Sequence, residues 1–460
     1  MSNAQLQSLV NSPSYNIFME NSTMSPMIYT LDKSVVPLSR NKYELSFSSS
    51  TKFGSSVSFD LLRVGILDSI VLKLRATGFS ADKTTYGGWI NALKSVHISS
   101  HNKRLLSLTP DNILQRIARM PKAVRDQIES SCQLAGVRPN DYNDDINDHN
   151  KYGRVGLSTA TDADATYGIF GAKSRKESTG YVYLPFSIFD DLRTKCSFDM
   201  EFVENLQLDI EFADKMQLIE PAVGTATLTA NPVLDTVNSK VIVSYLDMMS
   251  SDLKKFENEN FKIEGADLNL VCQDYYKEAV PATLKIKGSS TNAEAVGTAD
   301  GRVAKFKIPI SCRNLITAVM IRVQNKKTQS GLEGVKVLKI ALNLDGKEFL
   351  SVDGEELNLI SSVAGGVSVP NVASNFTAHG NQSGHDIREN FYEIKFSQAQ
   401  SNAFSGGLSA RSTASPNLVI TVPATRIGTA DDYECIVNCE IISLLSISQL
   451  DGKISKSQNL

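Results

Sequence analysis

The sequence predicts an all-β protein built from two antiparallel sandwiches, and three observations support this prediction. Apolar and polar residues alternate with period two in many short segments, helical patterns are few, and a weakly charged stretch with two prolines, residues 219–239, divides the 460 residues into nearly equal halves. Strands with one polar face form antiparallel sheets that pack face to face. Because a chain of this length exceeds one ordinary core, we expect one sandwich in each half.

The clearest alternation lies in residues 204–212, which read ENLQLDIEF. Side chains of a strand alternate between its two faces, so one face of this segment is apolar and the other carries an amide and two carboxylates. The apolar face consists of Leu206, Leu208, Ile210 and Phe212. Similar strands are predicted at residues 43–47, 57–61, 70–74, 306–310, 338–344, 392–396 and 418–422. Each would bury one face and show the other to water or to a neighbour.

A few helices are predicted within the connections. In TPDNILQRIARM, Thr109 can cap the helix and Pro110 suits its first position, and an apolar stripe follows. KAVRDQIESSCQLAG predicts a second helix that ends at Gly136, and LDMMSSDLKKFENENF predicts a third. Long polar connections at residues 137–180, 287–302 and 361–389 are expected to form functional surfaces or disordered segments.

The charge balance gives no overall attraction to nucleic acid or to anionic membranes, since 47 basic residues meet 50 acidic ones. Residues 94–125 form the densest basic run, but no aromatic residues are interleaved there for base stacking. We expect that run to be a solvated or subunit-facing surface, with no specific nucleic-acid partner. The chain also shows neither a secretion signal nor a run of 18 apolar residues.

The six cysteines are scattered, and they predict reduced thiols that fill the core. Cys435 and Cys439 share one parity of a predicted strand, which places their Cα atoms about 13 Å apart at ~3.3 Å per residue. That separation exceeds the limit of about 7 Å for a disulfide.

The sequence offers no catalytic motif and no cofactor site, so we expect a protein that is not an enzyme. Serine elbow, phosphate-loop, dinucleotide and zinc-protease signatures are all missing from the sequence. Asp141, Asn143 and Asp145 have the spacing of a calcium loop, but Ile146 and Tyr152 stand where that loop needs glycine and glutamate. A solvated acidic loop is the main interpretation, and weak calcium binding is the alternative.

Two aromatic or imidazole side chains carry competing interpretations. His97 lies four residues before His101, the spacing of a helical metal site, but the alternation around it predicts the polar face of a strand. Trp89, the single tryptophan, could stack on a sugar, although its apolar surroundings favour packing in a core or an interface.

Residues 181–212 resemble a feature of the double jelly-roll major capsid proteins of large nucleocytoplasmic DNA viruses. In that family a Leu-Pro-Phe segment leads to a strand ending near Ile-Glu-Phe, and the matching residues here are Leu184, Pro185, Phe186, Ile210, Glu211 and Phe212. This sequence departs from the family at 198–200, where a second Leu-Pro is replaced by Phe198, Asp199 and Met200.

Four more segments are similar to the family and follow its order. Residues 52–76 resemble its early Phe-Gly strand and corner, and residues 240–261 resemble a strand, corner and short helix through Tyr245, Leu246, Asp247 and Phe256. Residues 391–422 match at Ser405, Gly406 and Arg411, and the C-terminal strand with its glycine-containing tail completes the set.

The resemblance implies two eight-stranded jelly rolls in one chain, over residues 31–235 and 236–460, after an N-terminal arm of residues 1–30. In this assignment residues 204–212 close the first jelly roll and residues 240–261 open the second. Three chains would form a pseudo-hexagonal capsomer, and capsomers would tile the icosahedral shell of a double-stranded DNA virus or a tailless phage. The expected partners are neighbouring capsomers, minor capsid and penton proteins and, in many members, an internal membrane; the expected location is the virion.

Two other functions remain open at this point. A β-sandwich adhesin or glycan-binding surface protein would use the same strands and loops, with Trp89 as a stacking platform. An enzyme such as a glycosidase with two carboxylates is a further alternative, although no paired catalytic segment stands out.

Overall fold

The protein is described by a computed structural model that covers residues 38–78, 83–84, 88–120, 124, 127–128, 131–132, 177–190, 200, 203–215, 218–220, 231–248, 268–278, 286–287, 293–295, 302–325, 337–353, 356, 391–396, 407–409, 416–423, 432–448 and 452–457. Of the third predicted helix, the described residues Leu246, Asp247 and Met248 form the end of a strand instead. The rest of that helix and the expected N-terminal arm lie outside the described residues. So do the calcium-like loop residues Asp141, Asn143 and Asp145.

Among the described residues of the first half of the chain there are eleven strands. They are β1 (Leu38–Ser46), β2 (Ser56–Asp60), β3 (Ile66–Thr77), β4 (Lys83–Thr84), β5 (Leu93–Ser100), β6 (Lys103–Leu108), β7 (Glu177–Tyr183), β8 (Leu206–Phe212), β9 (Ile219–Glu220), β10 (Val233–Leu234) and β11 (Lys240–Met248). The eight main strands form two antiparallel sheets, β1-β11-β3-β7 and β2-β8-β5-β6. The short β10 extends the first sheet beside β3, and β4 pairs with β9.

The second half repeats this arrangement. Its strands are β12 (Leu268–Lys277), β13 (Ile286–Lys287), β14 (Ala293–Ala295), β15 (Arg302–Pro309), β16 (Leu315–Asn325), β17 (Lys339–Leu344), β18 (Lys347–Asp353), β19 (Phe391–Lys395), β20 (Leu408–Ser409), β21 (Asn417–Pro423), β22 (Asp432–Ile447) and β23 (Ile454–Ser457). The main sheets are β12-β22-β16-β19 and β15-β21-β17-β18. In both halves the first, eighth, third and sixth main strands make one sheet, and the second, seventh, fourth and fifth make the other. This is the jelly-roll order, so the predicted fold class is confirmed.

Hydrogen bonding places the division between the two units later than the sequence suggested. The strand β11 was expected to open the second unit, but it pairs with β1 and β3 and is the eighth main strand of the first sandwich. Its inward-facing residues Val241, Val243 and Tyr245 are buried in the first core. The strand β8 is therefore the seventh main strand of the first jelly roll and does not close it. Alternation shows which face of a strand is buried and leaves its partners undetermined.

Three helical elements are described in full. The helix α1 (Pro110–Arg119) begins after Thr109, whose hydroxyl accepts the backbone N–H of Asn112 at 3.4 Å, so the predicted cap is confirmed. The short helix α2 (Ser187–Asp190) follows β7, and a 3-10 helix spans Gly88–Ala92. The backbone is also helical at Val124, Gln127, Ile128 and Ser131, within the second predicted helix.

Two hydrophobic cores fill the sandwiches. In the first, β8 alternates strictly between buried and half-buried residues, as its sequence predicts. Trp89 is fully buried and lies against Gly180 of β7, which confirms its packing role and removes it as a surface platform for sugars. The first core cluster also contains Tyr275, Met320, Leu445, Ile447 and Ile454 of the second sandwich, so apolar packing continues between the two units.

The described cysteines are buried and form no disulfides with one another, in agreement with the sequence prediction. They are Cys132, Cys272, Cys312, Cys435 and Cys439, whereas Cys196 lies outside the described residues. Burial raises the pKa of the Cys312 thiol to about 11, and it raises that of Cys439 as well. These two thiols therefore stay protonated at neutral pH and act as small apolar side chains.

Candidate functional site

The most distinctive polar arrangement lies between the two jelly rolls, and we call it the junction. It is formed by β6 and α1 of the first sandwich and the outer face of the β12-β22-β16-β19 sheet of the second. The strands β6 and β12 touch along their edges. At this contact the backbone N–H of Ser107 donates to Oδ1 of Asp274 at 2.9 Å.

Arg119, in the last turn of α1, is the central cation of the junction. Its guanidinium donates to Oε2 of Glu440 on β22 at 2.5 Å and to Oε1 of Glu393 on β19. Gln115, one turn earlier on α1, donates to the same Glu393 oxygen at 2.9 Å. The side chains of Glu393 and Glu440 are 0% and 4% exposed. One arginine therefore forms ion pairs with two carboxylates that are buried in the sheet.

A second set of contacts extends the junction along α1. Arg116 donates from Nε to the Tyr275 hydroxyl at 2.7 Å and from Nη2 to Gln273 at 3.0 Å. At the start of the helix, Asp111 accepts a hydrogen bond of 2.7 Å from Nε of Arg322 on β16, and both side chains are buried. The polar side of α1 is thus joined to the sheet that it covers by both ion pairs and hydrogen bonds.

The acidic residue Asp274 closes the junction at the β12 edge. Asp274 is 3% exposed. It accepts a hydrogen bond from the backbone N–H of Ser107 and forms an ion pair with Lys456 of the C-terminal strand β23. The strand β23 therefore pairs with a carboxylate that also accepts a hydrogen bond from the first sandwich.

The electrostatics of the junction explain the charge state of Glu440. Burial acts to raise the pKa of this carboxyl, but the nearby Arg119 and Arg116 and the hydroxyl of Thr317 outweigh it, so the pKa lies below its ordinary value of 4.5. Burial also lowers the pKa of Lys395 on β19 to about 8, helped by the charge of Arg119. With its pKa below 4.5, Glu440 is ionised at neutral pH, and its ion pair with Arg119 suits a structural role.

The sequence analysis misplaced two of these cations. Arg116 and Arg119 belong to the basic run for which a solvated or subunit-facing surface was expected, but here they face the other half of the same chain. The available signal was a glutamate within an apolar stretch of each of two strands, Glu393 in FYEIKF and Glu440 in NCEII. A lone carboxylate in a buried strand requires a cation, and only the folded chain shows which one.

The acidic face of β8 lies on the outside of the β2-β8-β5-β6 sheet. Its carboxylates are satisfied within that sheet: Asp209 accepts from Ser58 at 2.6 Å and from Ser99 at 2.5 Å, and Glu211 accepts from Lys94 at 2.6 Å. His97 lies on the same face, between Ser95 and Ser107, as the sequence predicts. Burial and the charge of Arg104 lower the pKa of His97, so it is neutral at pH 7. This face is a hydrogen-bonded exterior of the sheet.

The family-motif residues that are described lie in the core. Leu184 and Phe186 are fully buried after β7, around Pro185, and Ile210 and Phe212 are buried on β8. The Tyr245 hydroxyl accepts the backbone N–H of Leu62 at 3.0 Å, and burial raises its pKa to about 12. Asp247 is half-buried near the end of β11, whereas Ser405 and Gly406 lie outside the described residues. Their correspondence to family positions stays a prediction.

Two further findings concern ligands and membranes. Within the described part of the chain, no three histidine, cysteine, aspartate or glutamate side chains are grouped so that they could hold a metal ion. Among the same residues, no helix is both long and apolar enough to cross a membrane.

This chain is similar to known proteins in its structure, whereas the comparisons of its sequence find no match. No model of a protein family and no curated protein matches this chain. Solved structures do match over nearly the whole length. VP54 of the virus PBCV-1 has a TM-score of 0.60 at 13% identity, covering 93% of this chain and 98% of that one.

Two other structures match to a similar extent. The Faustovirus major capsid protein gives a TM-score of 0.54 at 8% identity and covers 91% of this chain and 92% of its own. A chain of the Sputnik virophage gives 0.54 at 9% identity and covers 92% and 88%. The chain is thus a double jelly-roll protein. The structures that it resembles are double jelly-roll major capsid proteins of viruses.

Proposed function

We propose that this protein is the major capsid protein of an icosahedral double-stranded DNA virus or phage. In this role it acts as a structural and non-catalytic subunit, and three copies form a pseudo-hexagonal capsomer of the virion shell. Neighbouring capsomers and minor capsid and penton proteins are the partners that this role implies, with an internal membrane as a further partner in many such viruses. The chain would act inside the host cell during assembly and afterwards in the virion.

One observation carries the proposal: two sandwiches of identical strand order are joined in one chain by a buried, charge-matched junction. Three such chains present six jelly rolls, so a three-fold ring has a nearly six-fold outline that can tile a closed shell. A flexible link would not preserve that outline. The ion pairs of Arg119 with Glu393 and Glu440, and of Arg322 with Asp111, support a fixed angle between the two units.

The glycan-binding alternative loses the feature that motivated it. Its stacking platform was Trp89, and that ring is fully buried against Gly180. The carboxylate-pair enzyme gains no support either, because the carboxylates on the exterior of β8 are engaged by serine and lysine side chains.

The native mass of the purified full chain tests the proposal. Light scattering on a sizing column is expected to give three times the chain mass of 50.2 kDa, and electron microscopy of that peak should show six-lobed particles. A single-chain mass at all concentrations up to about 100 μM would argue against a capsomer, because a homotrimer that builds a shell should form in that range.

A further inference from the structure

The two jelly rolls align residue by residue. One surface of the second jelly roll is covered, whereas the equivalent surface of the first is not. The hairpins β5–β6 and β17–β18 both turn on two residues with positive φ, His101 and Asn102 at 49° and 62°, and Asp345 and Gly346 at 54° and 76°. The strands that follow read KRLLSL and KEFLSV. The two hairpins are therefore aligned without a gap.

Both strands also carry a β-bulge at the same place. The pairing skips Leu105 on β6 and Phe349 on β18, so these two residues are structural equivalents. Leu105 is fully buried, in the cluster that contains Tyr275 and Leu445 of the second sandwich, whereas Phe349 is 67% exposed. A large aromatic side chain with that exposure, on an edge strand, is the kind of anchor that an interface buries.

The surface that receives β6 within the chain has its own equivalent in the first sandwich. Both sheets skip one residue of the third main strand, Asp68 on β3 and Thr317 on β16, which aligns Val71 with Met320. The same register aligns Lys42 with Tyr275 and Asn41 with Asp274. In the second sandwich this outer face is covered by α1 and β6. In the first sandwich Lys42 is exposed and Val71 is half-buried.

We propose that β18 of one chain docks along β1 of a second copy, with Phe349 seated on the outer face of the β1-β11-β3-β7 sheet. This contact between chains is equivalent to the contact of β6 with β12 within one chain. The backbone N–H of Ser351, the equivalent of Ser107, then donates to the side-chain oxygen of Asn41, the equivalent of Asp274. This inference rests on the proposed function and identifies the surface through which its subunits associate.

The charges on the two surfaces favour a second copy as the occupant. Where β6 carries the exposed Arg104, β18 carries the exposed Glu348. The receiving sheet presents Arg40, whose side chain is 60% exposed, and Lys42 at its β1 edge. The contact is head-to-tail, since one copy offers β18 and the next offers β1, and head-to-tail contacts close into rings when the rotation permits.

The test uses the full chain and two single substitutions, one on each surface. Phe349→Glu removes the anchor and Val71→Glu places a charge on the receiving face; each is expected to weaken association at least about tenfold, as hot-spot substitutions do. Lys42→Glu is a second receiving-face variant whose exposed side chain cannot impair folding. Val237→Glu is the control, because Val237 is 76% exposed in the turn before β11 and lies on neither surface.

Mixing the two variants gives the decisive measurement. Phe349→Glu retains the receiving face and Val71→Glu retains β18, so an equimolar mixture should form a two-chain complex by native mass spectrometry although each variant alone is a monomer. No complex in the mixture, or single variants that assemble like the wild type, would overturn this inference and leave the capsid proposal intact. A wild-type chain that never associates would overturn both.

Discussion

Ile210 lies at the centre of the first core. It occupies the inner face of β8, is fully buried and pairs with Val57 on one side and Val96 on the other. Ile210 therefore packs within the apolar cluster of the first core.

We expect Ile210→Asp to prevent folding, because an ionised carboxylate buried among aliphatic side chains costs far more than the net stability of a domain. Soluble yield and a circular-dichroism melt are the measurements. Ile210→Val is the matched control and should cost only about 0.5 to 1.5 kcal/mol. A soluble Ile210→Asp protein with a cooperative melt would show that β8 is not a core strand.

Gly180 is a second residue whose identity follows from one contact. A Cβ atom at this position would lie 2.0 Å from Cδ1 of Trp89, far inside van der Waals contact. The buried indole therefore occupies the space that any other residue of β7 would need there.

Gly180→Ala should lower the free energy of unfolding by about 1 to 3 kcal/mol, the usual cost of overpacking a core. Chemical denaturation of Gly180→Ala, Trp89→Phe and the double variant measures the coupling between the two positions. The smaller ring is expected to relieve part of the clash, so the double variant should lose less than the sum of the single losses. Strictly additive losses would contradict this packing argument.

Among the elements, α1 has the most specific role. Its apolar residues Ile113, Leu114 and Ile117 are buried in the first core, and its polar residues reach the sheet of the second sandwich. The helix α1 therefore packs into the core of the first jelly roll and covers a sheet of the second.

Removing the Arg119 cation of α1 should lower the free energy of unfolding. Arg119→Met removes the ion-pair partner that the buried Glu393 and Glu440 share, so we expect a loss of about 3 to 5 kcal/mol. Arg104→Met, on the exposed side of β6, is the matched control and should change stability little. Adding Glu393→Gln and Glu440→Gln to Arg119→Met should recover most of the loss. A triple variant no more stable than Arg119→Met would mean that the arginine acts through packing alone.

The junction also predicts a direction of pH dependence. The pKa of Glu440 is lower in the folded chain than its ordinary 4.5, so its contribution to stability is present above pH 4.5 and is lost as the pH falls further, through the folded-state pKa. Unfolding titrations between pH 7 and pH 3 should therefore show a steeper acid loss in the wild type than in Glu440→Gln. Parallel curves would contradict the assigned charge state.

At the scale of the whole molecule, the two jelly rolls share one continuous apolar cluster. Residues of β12, β16, β22 and β23 pack in the same cluster as the first core. Separating the sandwiches would expose this surface together with the charges of the junction.

We therefore expect the isolated chain to unfold in a single calorimetric transition, although it contains two complete jelly rolls. Differential scanning calorimetry under reversible conditions provides the check, with equality of the calorimetric and van't Hoff enthalpies as the criterion. Two separate transitions would show that the junction does not couple the units. Arg119→Met should broaden or split the transition, because it weakens the polar part of that coupling.

The sequence by itself determined the fold class, most of the core and the helix cap. Period-two alternation sets which side chains of β8 are buried, and Thr109 with Pro110 sets where α1 begins, since both effects act within a few residues. The buried position of Trp89 also followed from its apolar neighbours. These features are local, so no knowledge of distant partners was needed.

The tertiary structure alone decided which strands pair and which charges meet. The strand β11 reads equally well as the end of one unit or the start of the next, and its pairing with β1 and β3 assigns it to the first. Arg119 lies 274 positions before Glu393 in the sequence. No local pattern joins residues so far apart, because their contact is set by the way in which a sheet of the second sandwich packs against a helix of the first.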